Sequence, residues 1–307
     1  MTVLEGIQKS AEFLAKKGVE SPRLHAELLL AHVLKLPRMK LYLNFERGLA
    51  PTEVDGLRDL VRRRGQREPL QHITGSTSFC GLEIALNRNV LVPRPETELL
   101  AEAGWQFLQS PQDPSANGSL VRSSGFSGPG PPEGGTPNLA HVLDFGTGSG
   151  CLAIALAAKC PNAKIVALDL SADALILARQ NAVATKVADR IEFLQSNGFA
   201  ALPEAIRFDL IISNPPYVPS AEIESLEPEV RNHDPRAALD GGADGLDFYR
   251  LLADQTRKFL KADGKIMLEF GDGQADAIQK IFENQNWVVE AIQPDYNQRQ
   301  RILIARL

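Results

Sequence analysis

The chain has 307 residues, enough for one large domain and a smaller companion. Its 44% hydrophobic and 23% charged content is that of an ordinary folded protein, and its net charge of −5 argues against a general DNA-coating role. Cys80, Cys151 and Cys160 are few, odd in number and without metal-ligand spacing, so no metal site is expected and a reduced cytoplasmic setting is. Residues 1–17 lack a signal-peptide core and no apolar run is long enough to span a membrane, so no membrane partner is expected.

In chain order, Leu4, Ile7, Ala11 and Leu14 recur at helical spacing and predict a helix over 2–17, stopped by Gly18. Ser21 and Pro22 predict a second start, with Ser as cap and Pro at the first helical position. Leu24, Leu28, Ala31 and Leu34 supply its apolar stripe. A turn at 39–43 follows, then a helix running from a Thr52/Asp55 capping box to Arg64. Residues 1–70 thus read as a small helical bundle. Arg62, Arg63 and Arg64 fit either a solvated helix end or a contact patch for a partner. The β-rich pieces 77–79, 82–86 and 90–92 are broken at Gly81 and at 87–89, which predicts a hairpin linker over 71–93. Pro93-Arg94-Pro95-Glu96-Thr97-Glu98 comes next, as a helix start or as a rigid element holding Arg94 and Glu96. From 109 to 138 Pro, Gly and Ser displace all periodicity, and the stretch reads as a disordered insertion.

From 140 onward the pattern alternates. Strands are predicted at 140–144, 164–169, 190–194, 208–213 and 265–270, with helices at 151–159, 171–185, 245–260 and 273–284. Two strands, 287–292 and 301–307, close the chain with no helix between them. Alternation implies a parallel doubly wound α/β sheet, and the closing pair implies one antiparallel strand at its edge.

Two motifs carry chemistry. Asp144-Phe145-Gly146-Thr147-Gly148-Ser149-Gly150 joins the first strand of this region to its helix, and Asp169 ends the next strand. Glycines permit a tight turn and close approach of a ligand, and the distal acid suits a ribose hydroxyl pair. The spacing is Gly-x-Gly-x-Gly, and an acid precedes it. A pyrophosphate disfavours a nearby carboxylate. A cationic sulfonium tolerates one, which favours S-adenosyl-L-methionine over a dinucleotide. The second motif, Asn214-Pro215-Pro216-Tyr217, follows the buried strand 208–213. The prolines hold Asn214 extended and remove two N–H donors. The Asn214 side-chain oxygen and the Pro215 carbonyl can then both accept from one planar NH2 group, beside the aromatic wall of Tyr217.

Together these motifs resemble a class I S-adenosylmethionine-dependent methyltransferase, a Rossmann-like fold with a mostly parallel sheet and an antiparallel edge strand. Asn-Pro-Pro-Tyr is similar to the motif of the amino-methyltransferases. Residues 69–75 (Pro-Leu-Gln-His-Ile-Thr-Gly), 79–82 (Phe-Cys-Gly-Leu), 90–98 (Val-Leu-Val-Pro-Arg-Pro-Glu-Thr-Glu) and 233–239 (His-Asp-Pro-Arg-Ala-Ala-Leu), with Gly241-Gly242 and Asp244-Gly245-Leu246, resemble the PrmC/HemK family. That family methylates the N5 amide nitrogen of the glutamine in the Gly-Gly-Gln loop of class-one peptide chain release factors, modulating translation termination.

The resemblance implies an N-terminal release-factor-docking domain over 1–70, the linker over 71–93 and a catalytic domain over 94–307. It implies that Gly146, Thr147, Gly148, Ser149 and Gly150 line the methionine and ribose of the cofactor, that Asp169 holds the ribose, and that S-adenosyl-L-homocysteine is the product. Asn214 would sit near cofactor and substrate amide, with Pro215, Pro216 and Tyr217 completing the glutamine pocket and Arg94 and Glu96 at the substrate side. Where the family often carries an acid–aromatic pair beside adenine, this chain has Ser196-Asn197-Gly198-Phe199. Asn197 can bond the adenine amine, Gly198 carries no ring, and Phe199 is the stacking candidate. Other readings are a ribosomal-protein glutamine methyltransferase, a nucleic-acid amino-methyltransferase that flips its base, and a cofactor-binding scaffold. The acidic balance disfavours direct nucleic-acid binding.

Overall fold

The computed structural model describes residues 1–110 and 139–307. Most of the insertion read at 109–138 lies outside the described residues, while Gln109 closes a helix. The chain opens with α1 (Val3–Lys16), α2 (Pro22–Leu34), a short α3 (Arg38–Leu41), α4 (Pro51–Gly65) and α5 (Leu70–Thr74). A capping box starts α1: the Thr2 hydroxyl accepts the Glu5 N–H at 3.2 Å and the Glu5 carboxylate accepts the Thr2 N–H at 3.0 Å. The apolar stripe of α1 (Val3, Ile7, Leu14) packs into one cluster with Leu29 and Leu30 of α2 and Leu57 and Val61 of α4.

Two predicted caps are corrected. Ser21 adopts the left-handed conformation (φ 47°) and makes no cap, so Pro22 alone starts α2. The Thr52/Asp55 box does not form, because α4 begins earlier at Pro51 and Glu53 accepts the Ala50 N–H at 2.9 Å.

The linker holds α5 and a hairpin of β1 (Ser76–Phe79) and β2 (Leu82–Ala85), turned through Cys80 (φ 50°) and Gly81 (φ 79°). Residues 90–92 make no strand. Val90 and Val92 instead bury their side chains against the core of the region that follows, directly ahead of Pro93.

The rest contains α6 (Pro95–Gln109), β3 (Ala140–Phe145), α7 (Cys151–Lys159), β4 (Ala163–Asp169), α8 (Ala172–Ala184), β5 (Ile191–Gln195), β6 (Phe208–Ser213), α9 (Pro228–Arg231), α10 (Asp247–Gln255), β7 (Leu260–Glu269), α11 (Ala275–Glu283), β8 (Val288–Pro294) and β9 (Gln300–Arg306). Seven strands form one sheet in the order β5-β4-β3-β6-β7-β9-β8. Strand β9 is antiparallel to both neighbours, so the antiparallel strand lies one place in from the edge. The predicted helix 245–260 ends at Gln255 and passes through a 3-10 turn, because Leu260 already pairs with Phe208. Apolar residues of β3, β6 and β7 alternate between two cores. One core lies under α6 and α7, the other under α10 and α11. No described helix is long and apolar enough to cross a membrane.

Order reverses between β3 and β6, which are paired with Asp144 opposite Ile212. Ligands bind at such a switch point, outside the carboxyl ends of the strands.

Two buried polar anchors tie the outer parts to this sheet. Arg64 is 4% exposed, and its guanidinium donates to Glu229 of α9 at 2.7 Å and to His25 at 3.0 Å. Arg67 joins it on Glu229 at 2.6 Å and reaches Glu227 at 2.9 Å. The three consecutive arginines therefore divide. Arg62 stays at the surface with Asp59, Arg63 folds onto Glu68, and Arg64 crosses between the bundle and the sheet region. The second anchor is Asn181 of α8. Its amide donates to the Ala85 carbonyl at 3.0 Å and the Ser149 carbonyl at 2.9 Å, and accepts the Ala85 N–H at 2.9 Å. One buried side chain thus joins the hairpin to the glycine loop. Asn181→Leu keeps the volume and strands these backbone groups, at about 1–3 kcal/mol each when buried. The expected result is a lower urea midpoint at unchanged slope, and an unchanged midpoint would show that the hairpin is held by packing alone.

Candidate functional site

The turn after β3 is built on positive φ. Gly146 (φ 73°) and Gly148 (φ 54°) occupy conformations that disfavour other residues, and a Cβ at either would meet nothing within 4 Å. The space over the turn is open. Gly150 differs: a Cβ there would lie 3.1 Å from Ala178, so it lets α7 and α8 close together. Thr147 and Ser149 are buried.

Asp144 lies fully buried beneath this turn. Its Oδ2 accepts the Thr147 hydroxyl at 2.6 Å and the Ala153 N–H at 3.1 Å. Its Oδ1 has no partner among the described residues. Burial pushes the Asp144 carboxyl up to about 7. A buried carboxylate with a free oxygen fits a ligand that brings a cation or an N–H group. Asp169 stands at the end of β4, half-buried. It braces the turn by accepting the Gly148 N–H, and it also accepts the Ser171 N–H, both at 2.8 Å. Each of its oxygens retains a lone pair for hydroxyls.

After β5 the chain places Asn197 exposed and Gly198 at φ 60° with open space around it. Phe199 is a correction. Its ring lies between Phe145 (4.9 Å) and Phe259 (5.4 Å), and only 6% of the residue is exposed. It is committed to the core and is not free to stack on an adenine.

Strand β6 delivers Asn214 to the same rim. The Ser213 hydroxyl donates to the Phe145 carbonyl at 2.6 Å, fastening the end of β6 to the end of β3. The Asn214 amide NH2 donates to the Thr97 hydroxyl oxygen at 3.0 Å, and the Thr97 hydroxyl donates to Glu269 at 2.7 Å. Thr97 and Glu269 are both 2% exposed, and burial lifts the Glu269 carboxyl to about 7. Among the described residues no protein donor takes the Asn214 side-chain oxygen or the Pro215 carbonyl. Pro215 is buried, and Pro216 and Tyr217 are half-buried. Burial drives the Tyr217 phenol up to about 12, so it acts as a neutral aromatic wall.

The loop over 218–245 is packed directly onto this motif. Val218 and Leu239 are hydrogen-bonded at 2.9 Å, as are Gly241 and Val218. A Cβ at Gly241 would stand 2.8 Å from the Pro216 carbonyl oxygen, so only glycine allows this approach. Gln274 clamps the far side, donating to the Tyr217 carbonyl at 2.9 Å. Arg94 spends its guanidinium on the buried Asp234 of this loop at 3.2 Å. Glu96 is half-exposed and lies close enough to raise both Tyr217 and Glu269 electrostatically.

The glycine turn, Asp169, Asn197, Gly198 and the Asn-Pro-Pro-Tyr segment thus converge at the carboxyl ends of β3 to β6, with Arg94 and Glu96 beside them at the start of α6. Sequence reasoning gives no functional role to Thr97, Glu269 or Asn181. A signal existed for one of them: Glu269 interrupts the apolar run Ile266-Met267-Leu268-Glu269-Phe270. A carboxylate inside a buried strand requires a partner.

Comparison with known proteins agrees with this architecture. Residues 5–75 match the family model of the PrmC N-terminal domain, and residues 136–227 match that of the Methyltransferase small domain. A release factor glutamine methyltransferase of Geobacter sulfurreducens is 41% identical over 281 residues, covering 92% of this chain and 88% of that protein. One from Chlorobaculum tepidum is 37% identical and covers 98% and 95%. A bifunctional methyltransferase of Rickettsia felis is 34% identical over 99% of this chain, which spans only 58% of that longer protein. Among solved structures, the catalytic domain of hMettl16 in complex with the MAT2A 3'UTR hairpin 6 aligns with a TM-score of 0.52 at 14% identity, covering 81% of each chain, which is a likeness of fold alone. With bundle, hairpin and catalytic sheet matched almost end to end, the chain belongs to the release factor glutamine methyltransferase family.

Proposed function

We propose that this chain transfers a methyl group to the side-chain amide nitrogen of the glutamine in the Gly-Gly-Gln motif of class-one release factors. The chain is a methyltransferase that uses S-adenosyl-L-methionine. The observation that carries the substrate reading is the pair of acceptors at the end of β6, the Asn214 side-chain oxygen and the Pro215 carbonyl, neither taken by a protein donor among the described residues. A primary amide has two N–H groups and matches this pair.

The residues that suit the cofactor are those of the open rim. Asp144 has an unpaired oxygen for its ammonium, Asp169 has lone pairs for its ribose, and Gly146 and Gly148 leave the turn open above them. When bound, the cofactor supplies an electrophilic methyl on a sulfonium and leaves as S-adenosyl-L-homocysteine. The work of the protein is to hold the amide. An amide nitrogen is a weak nucleophile because its lone pair is delocalised. Two acceptors on its hydrogens fix it in line with the methyl and meet the positive charge that grows on nitrogen. The proton shed afterwards leaves to water, and no general base is required. Arg64 and Arg67 hold the bundle of residues 1–70 against α9, on the loop packed against Pro216 and Tyr217, and so present its surface to a large protein substrate.

Asn214→Ala is expected to lower kcat on intact release factor by about 10²-fold or more, the scale on which a misplaced reactant costs rate. Wild-type activity in that variant would remove Asn214 from the site. In the same assay a short Gly-Gly-Gln peptide should show a higher KM than the intact protein, and equal KM values would contradict docking by the bundle. Cofactor affinity should rise with pH up to about 7 and then level off. Below that pH burial keeps Asp144 protonated, and a cation beside it favours the ionised form. Asp144→Asn should bind the cofactor about tenfold more weakly and without this pH dependence, as titration calorimetry would show. A wild-type affinity flat across that range would contradict the assignment.

A further inference from the structure

Behind Asn214 lies a buried chain that the reaction as drawn leaves unused. Thr97 comes from the first turn of α6 and Glu269 from the end of β7, and the Asn214 loop belongs to neither. The Thr97 hydroxyl donates to Glu269 at 2.7 Å, and its oxygen accepts from the Asn214 amide at 3.0 Å.

A hydroxyl has one hydrogen. Once Glu269 takes that hydrogen, Thr97 can offer Asn214 only lone pairs. A planar amide facing lone pairs must turn its NH2 toward them, and its oxygen then points the opposite way. The orientation matters because the substrate nitrogen presents only N–H donors. With the amide reversed, Asn214 would set N–H groups against N–H groups.

We infer that Thr97 and Glu269 are positioning residues that fix the Asn214 amide with its oxygen toward the substrate nitrogen. The inference rests on the glutamine-methylation reading and adds the reason why this asparagine acts only as an acceptor there. Neither residue touches the substrate.

The surroundings of Glu269 make the device sensitive to protonation. Glu96 of α6 opposes its charge, Arg301 of β9 favours it, and the Asn214 amide itself lies close enough to favour the ionised form, so Glu269 helps draw the NH2 inward directly as well as through Thr97, while the Tyr249 hydroxyl of α10 is occupied on the Glu269 backbone carbonyl at 2.8 Å. Tyr217 stays neutral beside it. If the Glu269 carboxyl is protonated, its O–H donates to Thr97. The Thr97 hydrogen is then released toward Asn214, and the amide loses its reason to stay in place. Burial sets that protonation near pH 7, so kcat should climb through this region to a plateau above it.

The test compares wild type with Thr97→Val, Thr97→Ser and Glu269→Gln, on intact release factor at saturating cofactor, across about pH 6 to 9. Thr97→Val keeps the shape and removes the hydroxyl. It should lose about 10²-fold in kcat while cofactor affinity stays within about twofold. Thr97→Ser should recover most of the rate. Glu269→Gln cannot ionise and can turn either end of its amide to Thr97, so it should show no rise near neutral pH. Wild-type kcat in Thr97→Val overturns the inference. So does a loss of cofactor binding that tracks the loss of rate, because that marks a merely structural role. Absence of glutamine labelling by the wild-type enzyme refutes the underlying substrate reading instead, so the two failures are distinguishable.

Discussion

Everything in this protein depends on the in-register pairing of β3 with β6. It places Asp144 opposite Ile212 and sets the glycine turn beside Asn214 at one rim. The strands are parallel, so both end on the same side, and the chain winds outward from them in opposite directions. That reversal opens the crevice that no connecting loop has to cross. The Ser213 hydroxyl on the Phe145 carbonyl then pins the two strand ends together, so the glycine turn and Asn214 cannot drift apart.

The elements outside the sheet act by holding this rim. Asn181 fastens the hairpin to the glycine turn, and Arg94 fastens the start of α6 to the loop packed against Pro216 and Tyr217. Arg64 and Arg67 fasten the helical bundle to α9 on the same loop. Each anchor is a buried or half-buried polar group rather than more apolar surface. Breaking such a group strands a charge or a backbone dipole, so it enforces one geometry more sharply than packing does. A site that must align an amide with a methyl group requires that kind of enforcement.

The strands and helices of the catalytic region were legible because apolar runs bounded by Gly, Pro and Asp repeat there with clear periods. Helix Cys151–Lys159 and strand Phe208–Ser213 fall where periodicity placed them. The glycine turn and Asn-Pro-Pro-Tyr were legible because backbone constraint is written into Gly and Pro themselves. Caps were less so. Ser21 and Thr52 are the right residue types, yet the chain enters both helices through the proline next to them. Residues 90–92 have strand composition but find burial without a ladder. Phe199 has the chemistry to stack on a base, and only the fold shows its ring already held between Phe145 and Phe259. The Glu269–Thr97–Asn214 chain could not be read in advance, since its three members are far apart in sequence and nothing local announces that they meet.

Among the described residues no protein donor takes the two acceptors at the end of β6, and on the proposed reading they hold a glutamine amide. The most direct measurement is fragmentation mass spectrometry of release factor after incubation with the enzyme and isotope-labelled S-adenosyl-L-methionine. A Gly-Gly-Glu variant of the release factor and duplex DNA would be treated in parallel. The account predicts one labelled methyl on the side-chain nitrogen of the glutamine in Gly-Gly-Gln, and none on the variant or the DNA. Label on the Gly-Gly-Glu variant, on DNA, or on another residue would contradict it.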